Sequence, residues 1–155
     1  MSKKLLVIDD EKSFTTIISR IAEDLGFEVV AVNDPLQALE AVSRVQPDVL
    51  VVDMVMPHVD GVDILRHIAA SNSSVEMKII AMSGFGAGYL RLAKAIVALE
   101  LRLPVIELPK PFRRADVVAA LTGGRASVPS FARTSLVRGM PGPMSSSFHS
   151  MSTPL

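Results

Sequence analysis

The chain has 155 residues, 49% of them hydrophobic, and its 16 Lys and Arg balance its 16 Asp and Glu. This length and composition predict one globular domain with a sizeable core and argue against an intrinsically disordered chain. No apolar run approaches the roughly 18–20 residues of a membrane helix, and acidic residues follow the first apolar residues too soon for a signal peptide. The absence of cysteine excludes disulfides and thiolate metal sites. We therefore expect a cytoplasmic protein.

The charges are unevenly distributed along the chain. All 16 acidic residues lie in residues 1–121 together with 13 Lys and Arg, a net charge of −3, whereas residues 122–155 contain three arginines and no acid. No basic cluster typical of nucleic-acid binding is present. Residues 122–155 also include eight Ser, four Gly and four Pro without apolar periodicity. We therefore predict a domain over residues 1–121 and a disordered tail over residues 122–155.

Short apolar runs alternate with segments of helical periodicity along residues 1–121. Asn33 and Asp34 before Pro35 are typical of a helix N-cap followed by a first-turn proline. The segment 83–88 is rich in glycine and predicts a turn. The predicted strands are 4–8, 27–32, 48–52, 77–82 and 104–108, and the predicted helices are 14–25, 35–46, 62–70, 89–101 and 113–121.

Five strands alternating with five helices predict right-handed βαβ units and a parallel sheet covered on both faces. In such sheets, ligands bind beyond the carboxyl ends of the strands. Polar residues occupy these ends in the first, third, fourth and fifth strands. They are Asp9, Asp10, Asp53, Ser83 and Lys110.

The chemistry of these five side chains predicts a phosphoryl-transfer site. Three carboxylates in one small space repel one another unless a cation lies between them. Oxygen-rich sites suit Mg²⁺, which commonly shares a phosphate with the protein. A lysine and a serine beside the carboxylates can bind phosphate oxygens, so the set has the parts needed to transfer a phosphoryl group to an aspartate.

The same residues resemble the receiver domain of two-component response regulators. The resemblance extends over about residues 3–121 and is carried by Asp9-Asp10, "DMVMPHVDG" at 53–61, Ser83 and "LPKPF" at 108–112. It implies an α/β fold of the flavodoxin-like (βα)5 type, a three-layer sandwich around a five-stranded parallel sheet of order 2-1-3-4-5. A weaker resemblance links the chain to receivers found beside cyclic-di-GMP phosphodiesterase (EAL) domains.

The resemblance also implies a metal-dependent phosphoacceptor. Asp53 would accept a phosphoryl group from the phosphohistidine of a histidine kinase. Asp10 and Asp53 would bind Mg²⁺ (or Mn²⁺) directly, and Asp9 would act mainly through a metal-bound water. The backbone carbonyl of Val55 would complete the protein ligands.

Two further residues would contact the phosphoryl group. By the same resemblance, the Ser83 hydroxyl would donate a hydrogen bond to a phosphoryl oxygen and Lys110 would form an ion pair with the group. The Lys110–Pro111 peptide bond is expected to be cis, a geometry confined in practice to X–Pro bonds.

The sequence departs from the family at three places. Glu107 lies three residues before the lysine, where receivers often have a Tyr or Phe that changes rotamer on phosphorylation. Ser83 and Lys110 are 27 residues apart, which is longer than usual and predicts an elongated fourth helix or a longer loop. Val55 and Phe85, two residues after Asp53 and Ser83, are apolar and cannot orient an attacking water. We therefore predict a long-lived aspartyl phosphate.

The favoured interpretation is a stand-alone response regulator that is not an enzyme beyond its own phosphorylation and dephosphorylation. Its partners would be a sensor histidine kinase or phosphotransfer protein and an unidentified output protein, and they can include a second copy in a phosphorylation-dependent homodimer. Nucleic acid and membranes are not expected partners. One alternative is a degenerate receiver acting as an unphosphorylated scaffold. The other is a haloacid-dehalogenase-type phosphatase, although Val55 stands where that family has a second aspartate.

Overall fold

The structure is a computed structural model that describes residues 1–71, 77–101 and 105–123. Most of the predicted tail, from residue 124 onward, therefore lies outside the described residues, and the domain boundary at residue 121 stays a prediction. Within the described part of the chain, no helix is long and apolar enough to cross a membrane.

Five parallel strands form one sheet, and helices cover both of its faces. The sheet has the order β2-β1-β3-β6-β7, which is the predicted order 2-1-3-4-5 when the five strands of this sheet are counted alone. A separate two-stranded hairpin, β4-β5, follows β3. The elements are β1 Lys4–Ile8, α1 Lys12–Asp24, β2 Glu28–Val32, a 3₁₀ turn Pro35–Gln37, α2 Ala38–Val45, β3 Val49–Asp53, β4 Val55–Met56, β5 Val59–Asp60, α3 Gly61–Ala70, β6 Lys78–Ser83, α4 Gly86–Leu101, β7 Val105–Pro109 and α5 Arg114–Thr122.

The core consists of two layers, one on each face of the sheet. Along β1, Leu6 and Ile8 pack with α2, α3 and α4, whereas Leu5 and Val7 pack with α1 and α5. Alternate side chains of a strand point to opposite faces, so a strand covered on both sides must be apolar at every position. This explains why the central strands read as continuous apolar runs, and why their predicted bounds lie within one residue of the observed ones.

The predicted starts of three helices are wrong by two or three residues. α1 begins at Lys12 instead of Phe14, because the apolar stripe marks the buried face and not the polar first turn. α2 begins at Ala38 instead of residue 35, because Pro35–Gln37 form a 3₁₀ turn before it. α4 begins at Gly86, inside the segment predicted to be a turn. Gly86 has a positive φ of 66°, which glycine adopts without strain, so it turns the chain from β6 into the helix. With 16 residues, α4 is the longest helix in the described part of the chain, as the prediction of an elongated fourth helix requires.

The hairpin β4-β5 was not predicted, and it redirects the chain directly after Asp53. His58 adopts a positive φ of 65° in its turn. Gly61 follows, and a Cβ there would lie 2.6 Å from Met54 Cα and 2.7 Å from Asp53 O, so no other residue fits without a backbone shift. The Asp60 carboxylate then accepts a hydrogen bond from Val62 N at 2.8 Å and caps α3.

Candidate functional site

The polar residues at the carboxyl ends of the strands come together at one edge of the sheet. Asp9 follows β1, Asp53 and Ser83 end β3 and β6, and Lys110 follows β7. The register aligns Asp53 with Met82 and Ser83 with Pro109, so these strands end at similar heights. Asp9, Asp53 and Ser83 are buried, whereas Asp10 is exposed.

Three carboxylates form a cluster at this edge. Oxygens of Asp9, Asp10 and Asp53 all lie within 4.8 Å of one another. Backbone amides orient two of them: Glu11 N donates to Asp9 Oδ1 at 2.9 Å, and Val55 N donates to Asp53 Oδ1 at 3.1 Å. The cluster therefore presents carboxylate oxygens from two strand ends in one place.

Lys110 reaches the cluster from the end of β7. Its Nζ lies 2.7 Å from Asp9 Oδ2 and 3.2 Å from Asp53 Oδ2, and its side chain is only 9% exposed. The backbone helps to place it, because Lys110 N donates to Ser83 O at 2.9 Å. The Lys110–Pro111 bond is cis, as the sequence resemblance implies.

Burial acts on the pKa values of both charged partners. Desolvation is the largest influence on Asp53 and, with the nearby charge of Asp9, raises its pKa above 3.8, although the Val55 amide and Lys110 act in the opposite direction. Desolvation is also the largest influence on Lys110 and lowers its pKa. The close contact with Asp9 and the negative charges of Asp53 and Asp9 outweigh it, so the pKa of Lys110 is raised above 10.5.

The residues present fit a divalent cation. Three carboxylates against one ammonium leave an excess of negative charge at the site. Asp9 Oδ2 is buried and forms its short ion pair with Lys110 without a hydrogen bond of normal geometry. Hard oxygen donors of this kind suit Mg²⁺ or Mn²⁺. That Asp10, Asp53 and the Val55 carbonyl bind the ion directly stays a prediction.

Ser83 is buried beside this cluster with its hydroxyl already oriented. Its Oγ accepts a hydrogen bond from Phe85 N at 3.0 Å. The Phe85 side chain is 71% exposed, and Val55 is half-buried. These are the two apolar positions that the sequence associates with hydrolysis of the phosphoryl group. Val55 begins β4, and Phe85 lies between β6 and α4.

Two side-chain contacts beside the site were not predicted from the sequence. Glu107, at the position of the usual aromatic, forms an ion pair of 3.3 Å with Lys94 of α4. The hydroxyl of Tyr89 lies 3.2 Å and 3.3 Å from the two carboxylate oxygens of Asp60. Both contacts join α4 to a neighbouring element. No sequence signal pairs residues across 29 positions, although Tyr89 is the single tyrosine of the chain.

Known proteins resemble the chain in sequence and in fold. The family described as "Response regulator receiver domain" matches residues 5–122. The chemotaxis protein CheY of Listeria monocytogenes is 38% identical over 84 residues, which are 54% of this chain and 69% of that protein. The alkaline phosphatase synthesis transcriptional regulatory protein PhoP of Bacillus subtilis is 34% identical over 44% of this chain, but the match spans only 28% of that longer protein.

A solved structure gives the same fold. The chemotaxis protein CheY4 of Vibrio cholerae aligns with 79% of this chain and 98% of its own, with a TM-score of 0.69 and 21% identity. At this identity the likeness shows the fold alone, and it confirms the flavodoxin-like five-stranded parallel sheet. The family match covers most of the chain, including every strand of the sheet and the acidic cluster. The chain belongs to the response regulator receiver domain family of two-component signalling systems.

Proposed function

We propose that this chain is a phosphorylation switch in which Asp53 accepts a phosphoryl group from the phosphohistidine of a sensor histidine kinase or a phosphotransfer protein. One observation carries the proposal. Asp53 ends a fully buried strand, and its carboxylate contacts Lys110 within a three-carboxylate cluster that fits a divalent cation. An isolated structural aspartate does not need this arrangement.

The reaction makes one bond and breaks one. A carboxylate oxygen of Asp53 attacks phosphorus while the P–N bond of the phosphohistidine breaks, and the imidazole leaves with the electron pair. Burial raises the pKa of Asp53, but Val55 N and Lys110 favour the ionised, nucleophilic form. Asp53 Oδ1 is held by the Val55 amide, which leaves Oδ2, on the lysine side, for the attack.

Lys110 and Ser83 would bind the incoming phosphoryl group. As Asp53 is consumed, the ammonium of Lys110 transfers its contact from Oδ2 to a phosphoryl oxygen and keeps its contact with Asp9. Ser83 Oγ accepts from Phe85 N, so the hydroxyl can donate its proton to another phosphoryl oxygen. Asp9, Asp10, Asp53 and the carbonyl of Val55 would hold Mg²⁺, which when bound offsets the negative charge of the phosphoryl group.

The switch signals by changing its affinity for other proteins. We propose a stand-alone regulator acting in the cytoplasm, where the kinase's phosphohistidine is available, on a separate output protein or through a phosphorylation-dependent homodimer. The phosphorylated form would shift an equilibrium between two conformations. Val55 stands where an aspartate-nucleophile phosphatase of the haloacid-dehalogenase type has its general acid, which argues against that alternative function.

The test is phosphorylation of the purified chain by acetyl phosphate or phosphoramidate in Mg²⁺, followed by intact-mass analysis. We expect one added phosphoryl group on the wild type and no adduct on Asp53→Asn. Hydroxylamine should remove the adduct, and EDTA added before the phosphate donor should prevent it from forming. Asp63→Asn is the matched control, since Asp63 lies exposed on α3, and it should be phosphorylated like the wild type. A wild type that stays unmodified in Mg²⁺ would support the unphosphorylated scaffold instead.

A further inference from the structure

The aromatic ring of Phe14 covers the ammonium group of Lys110. Lys110 Nζ lies over this ring, 4.0 Å from its centroid. Phe14 is on the first turn of α1, and its N–H donates to Glu11 O at 3.1 Å. The sequence pattern explained Phe14 only as part of the buried stripe of α1.

The Phe14 ring also packs against a second aromatic ring, that of Phe112. Its centroid is 5.5 Å from that of Phe112, with the planes tilted at 56°. Tilted aromatic pairs at this separation are favourable, because the edge of one ring meets the face of another. Phe112 follows Lys110 by two residues, so the chain after β7 supplies both the ammonium and the support for the ring that covers it.

The Phe14 ring provides the Lys110 ammonium group with a third partner. An ammonium group has three N–H donors. Asp9 and Asp53 each accept one contact, and the ring of Phe14 provides a third favourable surface in place of water. The side chain of Lys110 is 9% exposed, so water contributes little to its solvation. A cation over an aromatic face gains most when it is desolvated in this way.

We propose that Phe14 is a positioning residue for phosphoryl transfer: its ring face holds the Lys110 ammonium at the attacking side of Asp53 and keeps water from it. The inference rests on the proposed function of Asp53. A ring face attracts a cation over a broad area, whereas a hydrogen-bond acceptor requires one direction. The ammonium can therefore move from Asp53 to a phosphoryl oxygen without losing contact with Phe14.

Packing alone and attraction to the ring's electrons predict different outcomes. If Phe14 only fills space, its electron density is irrelevant. If the ring holds the ammonium, withdrawing electrons from its face must weaken the hold. Fluorine does so with a small change in size, so mono-, di- and trifluorinated phenylalanine at position 14 of the full chain separate the two roles.

The first measurement is the rate of Asp53 phosphorylation by phosphoramidate in saturating Mg²⁺, with the urea midpoint of each variant recorded beside it. We expect the rate to fall stepwise with each fluorine at position 14, reaching roughly tenfold for the trifluorinated ring, while the urea midpoint stays nearly constant. The same series at Phe112, which touches the ring of Phe14, is the control and should change the rate much less. Equal effects at the two positions, or a flat series at position 14, would overturn the inference.

A second measurement does not depend on phosphorylation. In the wild type, the ring current of Phe14 should shift the ε-methylene protons of Lys110 upfield, and Phe14→Leu should return them to ordinary lysine values. If the wild type is never phosphorylated, the proposed function fails by itself, whereas unshifted lysine resonances in the wild type refute the role of Phe14. Phe14→Trp keeps an aromatic face and should retain more of the shift and more of the rate than Phe14→Leu.

Discussion

Two lysines near the carboxyl edge of the sheet form ion pairs in different surroundings. Lys110 meets Asp9 and Asp53, with exposed fractions of 9%, 0% and 7%, whereas Lys94 meets Glu107 with 48% and 26% exposed. A buried ion pair is costly to break because it leaves an uncompensated charge, and an exposed pair contributes little. The contacts of Lys110 at the acidic cluster should therefore be costly to break, whereas the contact between α4 and β7 through Lys94 and Glu107 should be cheap to break.

Replacing each of the two lysines in turn has the largest expected effect and tests this difference first. Lys110→Met should lower the free energy of unfolding by about 3 kcal/mol at neutral pH without Mg²⁺, because three carboxylates then lack their buried counter-charge. Lys94→Met, the matched control, should cost less than about 1 kcal/mol. Urea denaturation in EDTA measures both. Similar losses for the two variants would mean that burial does not distinguish the pairs.

The apolar residues flanking the site predict slow loss of the phosphoryl group. Val55 and Phe85 offer no hydrogen bond to an attacking water, so the aspartyl phosphate should persist for minutes or longer. Val55→Asn introduces an amide that can orient the water and should speed hydrolysis about tenfold, less than a general base contributes, because an amide does not take the proton. The decay of phosphoprotein after donor removal gives both rates. A half-life of seconds for the wild type would refute the prediction.

The raised pKa of Asp53 predicts a pH dependence of stability in the absence of metal. Because the folded state holds this proton more tightly than the unfolded state, its contribution to stability is fully present below pH 3.8 and is lost as pH rises through the higher folded pKa. The free energy of unfolding of the wild type, compared with that of Asp53→Asn, should therefore rise as pH falls from 7 toward 4 in EDTA. Urea titrations across this range measure the difference. An unchanged or falling difference would show that Lys110 and the Val55 amide outweigh burial.

The contact between Tyr89 and Asp60 is expected to have the smallest effect. Tyr89→Phe removes a hydrogen bond to an exposed carboxylate and should cost at most about 1 kcal/mol of unfolding free energy, with the phosphorylation rate changed less than about twofold. The chain has one tyrosine and no tryptophan, so tyrosine fluorescence reports on this position alone. We expect that fluorescence to change when beryllofluoride and Mg²⁺ are added to the wild type. No change would indicate that α4 keeps its contact with the hairpin.

The sequence predicted the sheet and the convergence of the site, because both follow from local patterns. Continuous apolar runs identified the strands, and each run ended in a polar residue. Right-handed connections then required Asp9, Asp53 and Ser83 to meet at one edge. Lys110 was found in the same way.

Other features could not be predicted because they depend on packing between distant residues. α4 begins at Gly86, inside the glycine-rich segment, and the hairpin after Asp53 contains only two residues per strand. The contact of Phe14 with Lys110 joins α1 to the end of β7, two elements that lie far apart in the sequence. Apolar periodicity indicates that Phe14 is buried on one side, but not which group it covers.

The most direct test of the account is to locate the phosphoryl group in the chain. Phosphorylated protein reduced with borohydride converts an aspartyl phosphate to homoserine, which peptide mass spectrometry can assign to one residue. The account predicts homoserine at Asp53 alone, with Asp9 and Asp10 unchanged. Homoserine at Asp9 or Asp10, or at no position after treatment with phosphoramidate and Mg²⁺, would contradict the assignment of Asp53 as the phosphoacceptor.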